Sequence, residues 1–253
     1  MNGNALQTSD TTFDSIDSEN YSITVLNKVS EASNNPTFSE PPTADATLDF
    51  QLKLKRVFDI VAASIVLVML SPIIVLLFFI ICLDGGSPVF SHTRIGKNGR
   101  KFGCLKFRSM APNAAELLKD LLAADPDARA EWEKDFKLRN DPRITKIGGF
   151  LRRTSLDELP QLLNVIKGEM SLVGPRPIVD DEIEYYGSKY IFYRSVTPGI
   201  TGFWQISGRN DVSYENRVKL DETYVRNWSF WFDLKILFKT IPVFVMGSRG
   251  GAY

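Results

Sequence analysis

Between Val57 and Leu83 the chain is almost wholly apolar, interrupted by Asp59, Ser64 and the pair Ser71-Pro72. A run of this kind dictates the solvent before it dictates the fold. As a helix, Ile60 to Leu83 would be roughly 36 Å long, enough to cross a hydrocarbon core of roughly 30 Å. A single crossing is the default, yet the flanks oppose it. Lys53, Lys55 and Arg56 precede the run, and Arg94, Lys97, Arg100, Lys101, Lys106 and Arg108 follow it. The positive-inside rule places both clusters on the cytoplasmic side. Pro72 lacks the amide donor that an unbroken helix needs, and it divides the run into halves of about 11 residues, each about 16 Å long. Two readings stay open on these residues: a kinked helix that crosses, which bilayers tolerate, and a bent helical pair that enters one leaflet and returns.

Charge separates the rest of the chain. The 253 residues are 44% hydrophobic, enough for one large domain or two ordinary ones, and their 30 basic and 30 acidic residues cancel. Residues 1–49, however, hold eight acids and one base, Lys28, whereas residues 50–253 hold 29 bases against 22 acids, a net charge of +7. The first 49 residues are rich in Ser, Thr, Asn, Asp and Pro and lack a sustained period, so they are expected to form a disordered acidic tail. No basic n-region leads into an apolar run there, which argues against a secretory signal and keeps the body cytosolic. One histidine, His92, and two cysteines, Cys82 and Cys104, exclude a zinc site of the His/Cys kind and a disulfide framework. Acid–base or nucleophilic work falls to carboxylates. Nothing argues for nucleic acid.

Beyond the apolar run, β-like stretches at Pro88–His92 and Lys101–Phe107 flank Gly96-Lys97-Asn98-Gly99, the pattern of a hairpin turn. Ala111 to Leu138 is helical in pattern, with an interruption at Asp125-Pro126. Leu156 to Lys167 reads as a short amphipathic helix with Leu159, Leu162, Leu163 and Ile166 on one side. Helices are also expected over 180–194 and 211–227. Phe230 to Met246 is apolar and aromatic but carries Lys235, Lys239 and Pro242, which suits an interfacial amphipathic helix better than a span. Trp228, Phe230, Trp231 and Phe232 fit either a membrane-interface belt or an aromatic core patch.

The most informative stretch is Arg152-Arg153-Thr154-Ser155-Leu156-Asp157-Glu158-Leu159-Pro160-Gln161. Read plainly, Ser155 and Glu158 form an S-x-x-E capping box at a helix start. Read chemically, Asp157 projects with Gln161 and Asn164 on the polar side of that helix, available to a ligand. Two arginines beside two carboxylates suit a site that takes phosphate anions with a divalent cation. A carboxylate can also attack phosphorus to give an acyl phosphate without any histidine. In Gly174-Pro175-Arg176-Pro177, two prolines fix the backbone around a guanidinium; the plain alternative is a rigid loop. Lys106 and Arg108 share one face of a strand and suit either an anionic ligand or lipid headgroups. Thr197-Pro198-Gly199-Ile200-Thr201-Gly202 leads to Gln205 and Gly208-Arg209-Asn210, a loop that either approaches a ligand closely or simply turns. Asp180-Asp181-Glu182 resembles a metal site of a nucleotide-sugar glycosyltransferase, but its place at a helix start favours N-terminal helix charge. Gly96–Arg100 lacks the spacing and terminal Lys-Ser/Thr of a Walker A loop.

In order along the chain, the basic-flanked run with its Ser-Pro, Lys-Phe-Arg-Ser-Met, Asp-Pro-Arg-Ile-Thr, Arg-Arg-Thr-Ser-Leu-Asp-Glu-Leu-Pro-Gln, Ser-Leu-Val-Gly-Pro-Arg-Pro and Pro-Gly-Ile-Thr-Gly together resemble the bacterial sugar transferase family. These are the monotopic polyprenyl-phosphate glycosyl-1-phosphate transferases. The resemblance covers about residues 50–250 and is greatest to enzymes that start exopolysaccharide repeat units with galactose or glucose phosphate.

It implies an α+β, membrane-associated fold. Residues 1–49 are then a tail, 50–84 a re-entrant membrane helix broken at Ser71-Pro72, and 85–253 a compact, mostly helical cytoplasmic catalytic domain with amphipathic interfacial helices. The expected location is the cytoplasmic face of the inner membrane. The resemblance assigns Asp157 as nucleophile and Glu158 as its partner in the acidic dyad; both are expected contacts for Mg2+, with Glu158 acting either as a metal contact or as a base. It places Arg152 in the active site and Arg176 in the nucleotide-sugar pocket, and it sets Lys106, Arg108, Gln205, Arg209 and Asp221 at motif positions expected to meet substrate. The implied reaction moves a sugar 1-phosphate from a UDP-sugar to polyprenyl (undecaprenyl) phosphate through an aspartyl-phosphosugar and releases UMP. Two alternatives are a direct glycosyltransferase that releases UDP and a membrane-tethered scaffold. Membrane lipid is an expected partner; homo-oligomers or polysaccharide-assembly partners are compatible.

Overall fold

The computed structural model describes residues 46–83, 85–135, 138, 140–207 and 212–245. Residues 1–45, read above as tail, and Arg209 lie outside the described residues. One long apolar helix, α1 (Ala46–Cys82), leads into a compact, mostly helical domain. Two departures from expectation concern α1. Its first turn takes in residues 46–49, assigned to the tail by composition. Helical structure also runs unbroken through Ser71-Pro72, so the expected helix–break–helix is one continuous helix. Ser71 Oγ donates to the Val68 carbonyl at 2.8 Å, a local bond that accompanies the proline.

By length and composition α1 is the one helix among the described residues able to cross a membrane, and only 11% of its most apolar 18-residue window is buried. Burial is concentrated at its ends. In the first third, Arg56 donates to the carbonyls of Val165 (2.6 Å) and Ile166 (2.9 Å), and Asp59 accepts from Ser171 Oγ (2.8 Å) and the Leu172 amide (3.2 Å). Ala63 packs with Cys104, Leu162, Val165 and Met170. At the far end Leu77 and Ile81 pack with Phe107 and Leu151, burial worth roughly 1.5–3 kcal/mol for each large aliphatic side chain. Between these docking points Val68 and Met69 are 72% and 73% exposed.

The domain opens with an antiparallel hairpin, β1 (Val89–Ile95) and β2 (Lys101–Phe107), paired from Val89 opposite Phe107 to Ile95 opposite Lys101. Asn98 (φ 59°) and Gly99 (φ 74°) form its turn, as the sequence predicts. Next come α2 (Ala114–Ala124) and α3 (Pro126–Asp135), divided where Asp125-Pro126 predicts, then α4 (Lys146–Thr154) and α5 (Gln161–Lys167). Strand β3 (Ser171–Val173) pairs in parallel with β4 (Gly199–Thr201). A Cβ at Gly199 would stand 2.1 Å from the Gly174 amide nitrogen, so these glycines let two backbones meet. The connection between β3 and β4 carries a 3-10 turn (Asp180–Glu182), α6 (Ile183–Tyr186) and α7 (Tyr190–Ser195). The chain continues with α8 (Phe203–Ile206), α9 (Tyr214–Arg226) and α10 (Phe230–Val245), the last running on through Pro242.

The late aromatics divide between their two readings. Trp228 and Phe232 pack around Tyr224 and Ile236, whereas Trp231 is 72% exposed. Lys55 joins α1 to α10 through an ion pair with Asp233, which also accepts from Tyr224 and Trp228.

Candidate active site

The turn after α4 creates the site. Its closing residue, Ser155, is left-handed (φ 55°, ψ 18°) and donates its amide to the carbonyls of Arg152 and Leu151. A non-glycine residue rarely adopts this conformation. The reversal starts a 3-10 turn, Leu156–Glu158, that packs Leu156 near Leu151 and Phe107 and leaves Asp157 and Glu158 on the wall of a cleft of about 640 Å³. The expected capping box is absent: the Ser155 side chain makes no cap bond, and the Glu158 carboxylate turns to Lys106 instead. The helix proper starts only at Gln161. Its polar residues Gln161 and Asn164, expected beside Asp157 for a ligand, are buried. Asn164 accepts from the Leu105 amide (3.0 Å) and donates to the Gly103 carbonyl (2.8 Å), fastening α5 to β2.

Lys106, from β2, brings its Nζ to 2.7 Å from Glu158 Oε1 and 4.0 Å from Asp157 Oδ2. Arg152 lines the same cleft and donates from Nε to Ser109 Oγ at 2.9 Å. Burial is the main cause that pushes Asp157 up to about 6; Lys106 pulls the other way, Glu158 adds to the rise and Arg152 opposes it. Asp157 is therefore a carboxylate that is ionised at neutral pH but poorly hydrated, in a cationic surrounding.

Arg176, Trp204 and Gln205 also line the cleft. The Pro175-Arg176-Pro177 backbone is pinned by the Gly199 amide on the Pro175 carbonyl (2.8 Å), Arg94 on the Pro177 carbonyl (3.3 Å) and the Ile95 amide on the Ile178 carbonyl (2.9 Å). The Arg176 guanidinium carbon lies 5.9 Å from the centre of the Trp204 ring.

Two expected site residues, Arg108 and Asp221, have other partners, and the rival acidic run is no metal site among the described residues. Arg108 lines the cleft, but its guanidinium donates to the carbonyls of Ser87, Met110 and Ile81, so it closes the C-terminal end of α1. Asp221 is 2% exposed and absent from the cleft wall; Tyr186 donates to it at 2.7 Å, and burial raises it to about 7. It belongs to the packing of α9 on α6. Asp180–Glu182 forms no metal cluster: Asp180 pairs with Lys101, and Glu182 caps its own turn by accepting from the Val179 amide. Ser109, Trp204, Phe90 and Thr240 line the cleft without having been singled out in the sequence. Ser109 and Trp204 sit inside or beside motifs that were; Phe90 and Thr240 left no signal.

Among the described residues no three His, Cys, Asp or Glu side chains group to hold a metal ion. The pair Asp157 and Glu158 nevertheless fits Mg2+, which takes one or two carboxylates and completes its shell with water and substrate phosphate oxygens.

A sequence profile of bacterial sugar transferases matches residues 50–247. The chain is 57% identical over 200 residues to the undecaprenyl-phosphate galactose phosphotransferase of Salmonella typhimurium, covering 79% of this chain and 42% of that protein. It is 54% identical over 197 residues to the exopolysaccharide production protein ExoY of Rhizobium meliloti, covering 78% and 87%. To the UDP-glucose:undecaprenyl-phosphate glucose-1-phosphate transferase of Escherichia coli it is 42% identical over 197 residues, covering 74% and 39%. The chain thus spans about two fifths of the length of several curated relatives, and the matched portion contains the acidic turn, its lysine and both arginines. With the profile covering α1 and the whole domain that builds the cleft, the chain belongs to the bacterial sugar transferase family.

Proposed function

We propose that this chain transfers a sugar 1-phosphate, of the galactose or glucose type, from a UDP-sugar to undecaprenyl phosphate, releasing UMP. The observation that carries this reading is Asp157: a half-buried, ionisable carboxylate on the wall of a cleft whose other charged residues include Lys106, Arg152 and Arg176. A direct glycosyltransferase would attack the sugar carbon and release UDP, whereas a carboxylate nucleophile acting at phosphorus releases UMP.

In the first half-reaction an Asp157 oxygen attacks the phosphorus that carries the sugar. The bond from that phosphorus to the oxygen bridging to UMP breaks, and UMP departs with the electron pair. Weak hydration of the Asp157 carboxylate leaves less solvent to strip before attack. Lys106 and Arg152 neutralise charge that builds on the phosphoryl oxygens, and Arg176 is placed to hold the nucleotide portion. In the second half-reaction an oxygen of the acceptor phosphate attacks the aspartyl-phosphosugar, and Asp157 leaves as a carboxylate. No net proton transfer is needed when the acceptor phosphate is fully ionised. Glu158, held by Lys106, would join Asp157 in holding a divalent cation. Bound Mg2+ would supply charge neutralisation to the diphosphate.

The acceptor requires a membrane setting, and in the re-entrant, monotopic reading α1, helical through Ser71-Pro72, bends at the proline to return to one face. Both its ends dock on the same compact domain, at Arg56, Asp59 and Ala63 and again at Leu77 and Ile81, while its middle is exposed. A crossing helix would carry its two ends to opposite sides. The basic residues on both flanks of the apolar run support a location at the cytoplasmic face of the inner membrane.

Incubation with labelled UDP-galactose or UDP-glucose, undecaprenyl phosphate and magnesium tests the reading. UMP together with a lipid-linked sugar diphosphate is the expected pair of products. UDP would identify direct glycosyl transfer, and no nucleotide release from any UDP-sugar would identify a scaffold.

A further inference from the structure

Glu182 was weighed in the sequence as a metal ligand and the mechanism above leaves it unused, yet it sits at a junction behind the cleft. Its Oε2 accepts from the Val179 amide (2.9 Å) and lies 3.6 Å from Arg94 Nη1; its Oε1 accepts from Arg217 Nη2 at 3.2 Å. All three side chains are largely buried, at 20%, 16% and 11% exposure for Glu182, Arg94 and Arg217. Each arginine leads to a residue that lines the cleft, Arg94 towards Arg176 and Arg217 towards Trp204. Arg94 also donates to the Pro177 carbonyl, next to Arg176. The Arg217 guanidinium lies 5.7 Å from the Trp204 ring and 4.0 Å from that of Tyr214. Trp204 is 8% exposed, and its Nε1 is buried with no protein partner, as is Arg217 Nε.

We infer that Glu182 is a positioning residue for the Arg176–Trp204 wall, and that this wall grips the nucleotide portion of the donor. The inference rests on the transferase reading for the identity of the ligand. The physical reason is charge. Arg94, Arg176 and Arg217 crowd one region, and Arg176 acts electrostatically on both Arg94 and Glu182. Glu182 is the carboxylate that joins Arg94 and Arg217. Neutralising it leaves buried like charges uncompensated, a situation that protein interiors resist strongly. Arg217 would then lose its carboxylate hydrogen bond and keep its aromatic contacts and the electrostatic pull of Asp221, and both Trp204 and the Pro177 carbonyl would lose an anchored neighbour. The chemistry at Asp157, whose charged neighbours are Lys106, Glu158 and Arg152, would be spared.

Glu182→Gln tests this in the full chain in lipid nanodiscs. The expected result is a KM for the UDP-sugar raised roughly tenfold, with kcat and the KM for undecaprenyl phosphate held within about twofold, the pattern of lost binding that is uniform along the reaction. Arg217→Lys, which keeps the charge but loses the planar contact with Trp204, should raise the same KM by a smaller factor. It also serves as the test if Glu182→Gln does not fold. A readout independent of activity is acrylamide quenching of the fluorescence that Trp204→Phe removes; that component should become more accessible in Glu182→Gln. A fall in kcat with unchanged KM, or unaltered Trp204 quenching, would make Glu182 a structural ion-pair residue and overturn the inference. If Trp204 quenching shifts while the wild-type chain releases no UMP, the positioning role stands and the transferase reading fails.

Discussion

Two three-residue 3-10 turns, Leu156–Glu158 and Asp180–Glu182, look alike in the sequence: each places acids at the start of a helical stretch. Their neutralisation differs. In the second turn Glu182 takes its partners inward, from the Val179 amide and two arginines, and its carboxyl is held below the usual range despite its burial. In the first, Ser155 makes no cap bond, burial dominates, and Asp157 is pushed up to about 6 on the cleft wall. An acidic turn that satisfies itself stabilises a fold; one left under-solvated and faced by cations is prepared for chemistry.

The contrast breaks most sharply by substitution. Asp157→Asn should lower turnover by ~10³-fold or more, as expected when a covalent nucleophile is removed. Steady-state nucleotide release measures it, and near-normal activity would remove Asp157 from that role. A second effect lies in pH. With Asp157 needed in its ionised form, kcat/KM should rise through about pH 6 and level off above it. Because Lys106 lowers and Glu158 raises the Asp157 pKa, Lys106→Met should move this limb to higher pH and Glu158→Gln to lower pH. Equal limbs in all three proteins would show that another group sets the profile.

Stability gives a smaller effect of opposite sense. The Asp157 pKa is raised on folding from 3.8 to about 6, so ionising it in the folded state costs stability as pH rises through that window. Asp157→Asn should therefore be more stable than wild type above pH 7, by on the order of 2 kcal/mol, with the gain fading between pH 6 and 4. Denaturant unfolding at pH 4 and pH 8 distinguishes this from a pH-independent change. Smallest of all, Asp180→Asn in the self-satisfied turn should leave turnover within about twofold, because its pair with Lys101 is more than half exposed. A large loss there would restore the rival metal-site reading.

The sequence was most legible where local chemistry decides structure. The Asn98-Gly99 turn, the break at Asp125-Pro126 and the position of the α9 helix follow from turn and helix patterns. The cleft was legible too at Lys106, Arg152, Asp157, Glu158, Arg176 and Gln205, all of which line it. What failed depended on distant partners. The Ser155–Glu158 capping pattern yielded to Lys106, which lies 52 residues away from Glu158. Arg108 looked like an anion ligand because nothing local reveals that the end of α1 arrives beside it. Lys55 and Arg56 read only as a basic flank of the apolar run, yet they bond Asp233 and the carbonyl end of α5. Helix α4 was missed because Gly148-Gly149 weakens its pattern; a Cβ at Gly148 would stand 1.8 Å from the Ser109 carbonyl oxygen, so tertiary packing requires the glycine.

The account turns on a covalent bond to Asp157, and intact-protein mass spectrometry after incubation with UDP-sugar in the absence of acceptor tests it directly. The predicted result is a mass increase of one sugar phosphate, mapped to Asp157, absent in Asp157→Asn and discharged when undecaprenyl phosphate is added. Full turnover to UMP and lipid product with rapid-quench samples that never carry the adduct would contradict it.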